Sequence, residues 1–414
     1  MSEWNEIRLG DLCTFISRGI TPQYVDVGTP VINQKCIRNN EVDLSLCKFT
    51  DTTQKIKNEK YVEYGDILIN STGTGTLGRV AIYKHHLDSV SADGHVTILH
   101  TKGNVNSVYL GYYLHSIEPL IENLGRGSTN QMELSPTDLK RIKIVLPCLD
   151  TQKRIAEILS AYDDLIENNN RRIALLEKAA QELYKEWFVR FRFPGYENAK
   201  FENGLPEGWE RTTFEKIASF QNGYAFKSNE LLDSAEPNTY EVFKQGHIKR
   251  GGGFKAEGTK SWYHKSSCTG LQKFVLHKKD VLMAMTDMKD NVAILGNTAI
   301  MPYDNRYILN QRVGLLRPTH YRGTDFAYIH LLTNSYDFVQ DLRSRANRGV
   351  QVNLSAVQIR ESETVVPSEI INKKFAKIMD PIFEEIFNIM IQSENLAKQR
   401  DLLLPRLMSG KLEV

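Results

Sequence analysis

Long apolar runs are missing from this chain of 414 residues. None approaches the roughly 18 residues that a membrane-crossing helix needs. Cysteine is scarce: Cys13, Cys36, Cys47, Cys148 and Cys268 are an odd set, and no two are spaced Cys-x-x-Cys. That argues against a disulfide framework and against a zinc site, and favours the reducing cytoplasm. The start, MSEWNEIRLG, is polar and acidic, so it does not read as a secretory leader. An excess of charge of either sign is also absent. Lys and Arg total 52 against 50 Asp and Glu, a net +2, so any basic patch suited to nucleic acid must be local. Catalytic signatures are lacking too. The nearest approach to a phosphate-binding loop runs from Gly73 to Gly78, but Arg79 and Val80 stand where Lys and Ser/Thr are required. Without the hydroxyl there is no magnesium ligand, and the segment reads as a turn between strands, with Arg79 still available to a phosphate. No Asn-Pro-Pro-Tyr or Asp-Pro-Pro-Tyr run and no dinucleotide fingerprint occurs. His85 and His86 are adjacent, which on a strand would send them to opposite faces. No metal site is expected.

What the chain does have is itself, twice. Gln131, Leu134, Ser135, Leu139, Ile144 and Pro147 recur as Gln351, Leu354, Ser355, Ile359, Thr364 and Pro367, at a constant offset of 220 (351 against 131, 367 against 147). Upstream the offset shrinks to 218 (Gly296 against Gly78), 214 (Asp280 against Asp66) and 205 (Trp209 against Trp4). A repeat this long is a duplicated domain rather than a solenoid, with extra residues in the loops of the second copy. Hydrophobic and charged fractions of 41% and 25% are those of an ordinary soluble globular protein. Strand-like runs at Asp66–Asn70, Val80–Tyr83, His95–Leu99 and Ile142–Leu146, with helical spacing over Val108–Leu124, predict a mixed α/β layout that residues 195–367 repeat.

Two further segments carry the clearest periodicity. Ile155, Leu159, Tyr162, Ile166, Asn169, Ile173, Leu176, Ala180, Leu183 and Trp187 step by four and three without a break, a heptad seam about 48 Å long at ~1.5 Å per residue. Phe375, Met379, Ile382, Ile386, Ile389, Ser393, Leu396, Arg400, Leu403 and Leu407 form a second, again 220 residues on. Pro381 is expected to kink this helix or mark its start, and Pro405 to end it near Leu403. Paired antiparallel about the repeat's pseudo-twofold, Asn169 faces Ser393, Tyr162 faces Arg400 and Trp187 faces Phe375. A parallel pair would set Asn169 against Ile389 and Arg400 against Ala180, each burying a polar group without a partner at roughly 1–3 kcal/mol. The antiparallel arrangement is therefore predicted, with the stripes packing onto the globular copies as the alternative. It would make the helices a stiff spacer between two heads, of a length comparable to one turn of B-DNA, about 34–36 Å. The predicted divisions are 1–148, 149–194, 195–367 and 368–414: first copy, helix, second copy, helix.

Locally the chain is basic and aromatic. In copy two, Lys244, Lys249, Arg250, Lys255, Lys260 and Lys265 interleave with Tyr240, Phe243, Phe254, Trp262 and Tyr263, around a Gly251-Gly252-Gly253 tip read as flexible. Gln245, His247, Thr286 and Lys289 lie nearby in sequence or framework, and Arg343, Arg345 and Arg348 precede Gln351. Copy one offers Lys35, Arg38, Asn39, Asn40, Thr72, Thr74 and Arg79, then Arg126, Ser128, Thr129, Asn130 and Gln131. Lys and Arg suit phosphates and guanine, Asn and Gln the edge of adenine. The bland reading is a solvated surface, or for Arg343 and Arg345 the last turn of a helix, where the dipole favours cations.

Four motifs together resemble the specificity (S) subunit of Type I restriction–modification systems. They are Gly65-Asp66-Ile-Leu-Ile with Gly78-Arg79-Val-Ala-Ile, then Gln351-Val-Asn-Leu-Ser355 with Val365-Val-Pro367 and its partner at 131–147. The others are Leu183-Tyr-Lys-Glu-Trp187-Phe-Val-Arg-Phe-Arg-Phe-Pro194 with Leu205-Pro-Glu-Gly-Trp209, and Arg400-Asp-Leu-Leu-Leu-Pro405 with Gly410-Lys-Leu. The resemblance covers essentially the whole chain. It departs at Leu149-Asp-Thr-Gln152 and Ser368-Glu-Ile-Ile371, where the family more often has Pro-Leu-x-Glu-Gln, which bears on helix starts. It implies two target recognition domains separated by an antiparallel coiled coil, each reading one half of a bipartite DNA site. It also implies two methyltransferase subunits as partners, with restriction subunits joining them. The chain itself would be non-catalytic and bind no cofactor, S-adenosylmethionine, ATP and Mg belonging to its partners. Two alternatives remain open: the recognition subunit of a related bifunctional restriction–modification enzyme, and a coiled-coil assembly protein without sequence-specific DNA binding.

Overall fold

The structure is a computed structural model that describes residues 4–127, 132–288, 292–348 and 351–414. The chain divides into two compact units, Met1–Glu167 with Glu394–Val414, and Asn168–Ser393. Each unit holds a four-stranded sheet of the same order. In the first, Cys13–Arg18, Val96–Thr101, Ile67–Asn70 and Val80–Ile82 lie side by side; in the second, Ala218–Asn222, Val313–Pro318, Val281–Ala284 and Thr298–Ile300. Three of the predicted strands, Asp66–Asn70, Val80–Tyr83 and His95–Leu99, are strands of the first sheet to within a residue or two, whereas Cys13–Arg18 was not foreseen. Their continuous burial has a simple cause. Ile67 and Ile69 pack into one core and Leu68 into another on the opposite face; Val281 and Met283 against Leu282 and Ala284 repeat the split. A sheet covered on both faces needs apolar residues at every position rather than every second one. Gly78 and Gly296 precede equivalent strands, both left-handed at φ +80° and +79°, which is why this glycine recurs. The helical spacing over Val108–Leu124 is met by two helices, Ser107–Ser116 and Glu118–Asn123.

The motif at constant offset closes each unit. Ser135 and Ser355 cap short helices, Pro136–Lys140 and Ala356–Arg360, by accepting backbone N–H groups. The strands that follow, Lys143–Leu146 and Glu363–Val366, pair antiparallel with the units' opening strands, Asn5–Arg8 and Glu210–Thr213. Two long helices start where these strands end, Leu149–Tyr184 and Glu369–Met408. The departures from the family's turn leave an amide at the same place: Gln152 and Asn372, both buried, donate to the carbonyls of Pro147 and Pro367.

Within each unit the helices run antiparallel. In the second, Asn169 Nδ2 donates to Gln392 Oε1 at 3.4 Å, Arg172 pairs with Glu385 at 2.8 Å, and the Trp187 and Phe375 rings sit 5.5 Å apart, as predicted for those two. Asn169 thus meets the residue beside Ser393 rather than Ser393 itself. In the first unit, Ile155 and Leu159 share a core with Leu404, Leu407 and Met408. Arg400 meets not Tyr162 but its neighbour Asp163, at 2.6 Å. Asp163 is buried, also accepts from the Tyr112 hydroxyl, and has Lys84 at 3.7 Å. Burial works against the Arg400 charge, but the hydrogen bonds and charges of Asp163 and Asp401 together outweigh it and the net shift is upward. The expectation for the prolines is corrected: the terminal helix runs unbroken through Pro381 and Pro405. Both are on its exposed face, where water can take the carbonyl that a missing N–H leaves free.

Asp66 and Asp280 occupy the same seat. Each accepts the backbone N–H three residues upstream, from Glu63 at 2.6 Å and His277 at 2.9 Å. Each also holds a basic side chain on the neighbouring strand: His100 Nδ1 at 2.7 Å in the first unit, Arg317 in the second, bidentate at 2.7 and 2.8 Å. Burial opposes protonation of His100, yet the Asp66 carboxylate raises its pKa above the ordinary value.

Two outcomes follow. Arg400→Met takes from a buried carboxylate its nearest cation, leaving only Lys84 at 3.7 Å, and is expected to destabilise the first unit by up to about 3–5 kcal/mol, measured as a shift in its urea midpoint. The stabilisation from His100 is complete below its unfolded pKa of about 6.5 and is lost as pH rises through the higher folded value. His100→Gln should flatten that loss in a series of urea midpoints across neutral pH.

Candidate nucleic-acid interface

In the second unit the local basic segment is built largely into the fold. Thr239–Phe243 and Trp262–His264 form an antiparallel pair, and Phe243, Phe254 and Tyr263 are core residues. The aromatic interleaving is therefore packing rather than a stacking platform for bases. His247 is fully buried, stacked on Phe243, with Nδ1 bonded to the backbone N–H of Lys244. Burial also depresses the Lys244 pKa. Lys249 Nζ lies 3.5 Å from Glu177 of the central helix. Arg250 and Lys255 are exposed.

The glycine tip is pinned rather than loose. Gly251, Gly252 and Gly253 are all left-handed. The Gly251 N–H donates to Asn297 Oδ1 at 3.3 Å, and that of Gly253 to the Thr298 carbonyl at 2.9 Å. Asn334 fills the space beside Gly252 and bonds Asn297 and Thr298. Arg343 and Arg345 lie in the last turn of the helix Tyr336–Arg345. Arg343 donates to the carbonyls of Leu295 and Ala293, both at 3.1 Å, and Arg345 pairs with Asp341 one turn earlier at 2.8 Å. Gln351 is exposed on a three-stranded ribbon made of Thr286–Met288, Gln351–Asn353 and Asn347–Arg348. Thr286, on the same ribbon, donates to Gln245. Lys289 and the Arg348 side chain lie outside what is described.

The first unit builds a smaller version. Thr72 and Arg126 both bridge to Glu133. Glu133 pairs with Arg18 at 3.2 Å, and Arg126 with Asp138 at 3.1 Å. Thr72 Oγ1 meets His95 Nδ1 at 2.8 Å and Gln34 Oε1 at 3.3 Å. The Asn70 side chain donates to the Gln34 carbonyl, which draws the loop carrying Lys35 against the sheet. Lys35, Arg38, Asn39 and Thr74 are exposed, whereas Asn40 is buried. Arg79 donates to the Gly75 carbonyl at 2.8 Å, tying off the glycine-rich turn between strands. Ser128, Thr129, Asn130 and Gln131 lie outside the described residues. Arg18, Gln34, His95 and Glu133 were missed by sequence reasoning, and nothing but their contacts marks them out. Among the described residues no group of His, Cys, Asp or Glu could hold a metal, and no helix is long and apolar enough to cross a membrane.

A duplicated four-stranded sheet with divergent polar rims gives the chain two comparable heads. The chain belongs to the Type I restriction modification DNA specificity domain family, which it matches over residues 1–178 and 206–398. It is 26% identical to the Type I restriction enzyme MjaIX specificity subunit of Methanocaldococcus jannaschii, over all of this chain and 94% of that one. It is 23% identical to the HindI specificity subunit of Haemophilus influenzae, over the whole of both chains. Its fold resembles the crystal structure of a Type I restriction–modification S subunit from M. genitalium, with a TM-score of 0.55, 17% identity and 98% and 96% of the two chains covered.

The pinned tip makes a definite expectation. A Cβ at Gly252 would lie 2.4 Å from Asn334 Cγ, at a φ of +101°. Gly252→Ala should cost about 1–3 kcal/mol in the second unit's unfolding, measured by urea denaturation. Gly251→Ala, with no atom within 4 Å of its added Cβ, should cost less.

Proposed function

We propose that this chain is the DNA sequence-recognition subunit of a Type I restriction–modification complex, and that each unit reads one half of a bipartite site. The observation that carries the reading is the match of the DNA specificity domain to both copies, each built on the same four-stranded sheet. Chemistry would then reside in partners: two methyltransferase subunits using S-adenosylmethionine on adenine, and restriction subunits using ATP and Mg. The unequal rims fit two half-sites of different sequence. Thr72, Arg126 and Glu133 line one, and Thr286, Asn347, Gln351 and Asn353 the other.

The complex assembled from this chain and its methyltransferase subunits should methylate adenine at one defined bipartite sequence, read by sequencing modified bases across the host genome. Its DNA affinity should fall steeply with salt, since phosphate contacts release counterions. Methylation without a defined sequence, or at a single uninterrupted site, would refute the reading.

A further inference from the structure

The ribbon of the second unit has two unlike faces. Met288 pairs with Gln351, and Thr286 and Asn347 both pair with Asn353. Cross-strand partners point the same way, and so do residues two apart. Thr286, Met288, Asn347, Gln351 and Asn353 therefore share one face, and Asp287 and Val352 the other. Val352 is 3% exposed and packs into the core, while Met288 is 71% exposed and the three amides are exposed as well. None of the five carries a charge. A solvated edge of this kind usually carries lysine or glutamate. Here it offers amides, a hydroxyl and a thioether.

The ribbon is also held in place from beneath. The Asp287 carboxylate accepts the backbone N–H groups of Met288 at 2.8 Å, Ala293 and Ile294 at 2.7 Å and Leu295 at 3.1 Å. Arg343 takes the carbonyls of Ala293 and Leu295 on the same segment. A carboxylate on the N–H groups and a guanidinium on the carbonyls clamp one short stretch of backbone. The outer strand is thereby ordered before any ligand arrives. Three strands at ~4.8 Å spacing make a ribbon about 10 Å across, close to the ~12 Å width of the B-DNA major groove.

We propose that this neutral face enters the major groove of one half-site and reads an A·T pair. Gln351 and Asn353 address the adenine edge, and Met288 contacts the thymine methyl. Asp287 and Arg343 are positioning residues that act through the Ala293–Leu295 segment. The inference rests on the specificity-subunit reading and adds to it which residues discriminate and between which bases. The first unit supports it by contrast. At the matching ladder positions it keeps the threonine, Thr72, but puts Arg126 and Glu133 where the second has Asn347 and Asn353. The framework and one glutamine, Gln351 against Gln131 in sequence, are shared, and the base-edge chemistry differs at the two asparagine positions.

The test uses the complete complex with its methyltransferase subunits and maps modified bases genome-wide. Gln351→Ala, Asn353→Ala and Met288→Ala change exposed side chains, so assembly is expected to persist and is checked by gel filtration. Each should relax one A·T position in one half-site, with about a 5- to 150-fold loss of discrimination, and leave the other half-site unchanged. Gln351→Glu should move the preference at its position from adenine toward cytosine, whose amino group a carboxylate accepts. The slope of log affinity against log salt should not change in the three alanine variants, because neutral side chains release no counterions. Arg343→Gln should blur the same half-site, again at constant slope, whereas a phosphate contact would lower the slope by about one. Variants with wild-type specificity, or equal loss at both half-sites, overturn this inference and leave the subunit's function standing. A wild-type complex that modifies no defined site overturns both.

Discussion

Everything in each unit hangs on one antiparallel ribbon, the pairing of the opening strand with the closing one. Asn5–Arg8 with Lys143–Leu146, and Glu210–Thr213 with Glu363–Val366, bring the two ends of about 150 residues to adjacent positions. A capped turn of helix precedes each closing strand, and a long helix follows it directly. The capping serine, the buried leucine or isoleucine of the short helix and the proline after the closing strand recur at one spacing because this junction tolerates no insertion. The sheet and its loops lie between the two paired strands and are free to differ.

Four carboxylates serve as fixtures. Asp163 with Arg400 sits among apolar seam residues. Asp66 and Asp280 tie a strand edge to a preceding turn and to a basic side chain across the sheet. Asp287 gathers four backbone donors. In each case the acid's lone pairs are filled by several donors at once, the condition under which a desolvated carboxylate is tolerated. Basic residues that look available in the sequence are committed too, Lys249 to Glu177 and Arg343 to backbone carbonyls.

Much of the framework was legible in the residues alone. Strands buried on both faces announce themselves as unbroken apolar runs, and the heptad stripes are long enough to predict antiparallel pairing and the Trp187–Phe375 contact. The failures share a cause. A seam model assigns Arg400 to the facing a/d position, but a long guanidinium reaches one residue sideways to Asp163. Proline is read as a helix breaker because its lost hydrogen bond is visible in sequence, while its place on an exposed face, where solvent can reach the freed carbonyl, is not. Alternating lysines and aromatics look like a nucleic-acid platform until the strand pairing sends the rings inward. The candidate face was only partly foreseen, because Gln351 lies in the repeat, whereas Asn347, Asn353 and Met288 become neighbours solely through the ladder.

The closing ribbon also determines how such a protein can vary. Because both ends of a recognition segment sit on paired strands, lengthening its loops changes little beyond a loop-closure cost that grows with the logarithm of length, about 0.6 kcal/mol per doubling. The second copy has absorbed its extra residues in this way, the offset growing from 205 to 220 between Trp209 and Gln351 while the strand ladder keeps its order. A segment with its entrance and exit at one hinge behaves as an exchangeable cartridge. New reading surfaces can be inserted, traded or recombined between chains while the helices that carry them keep their register.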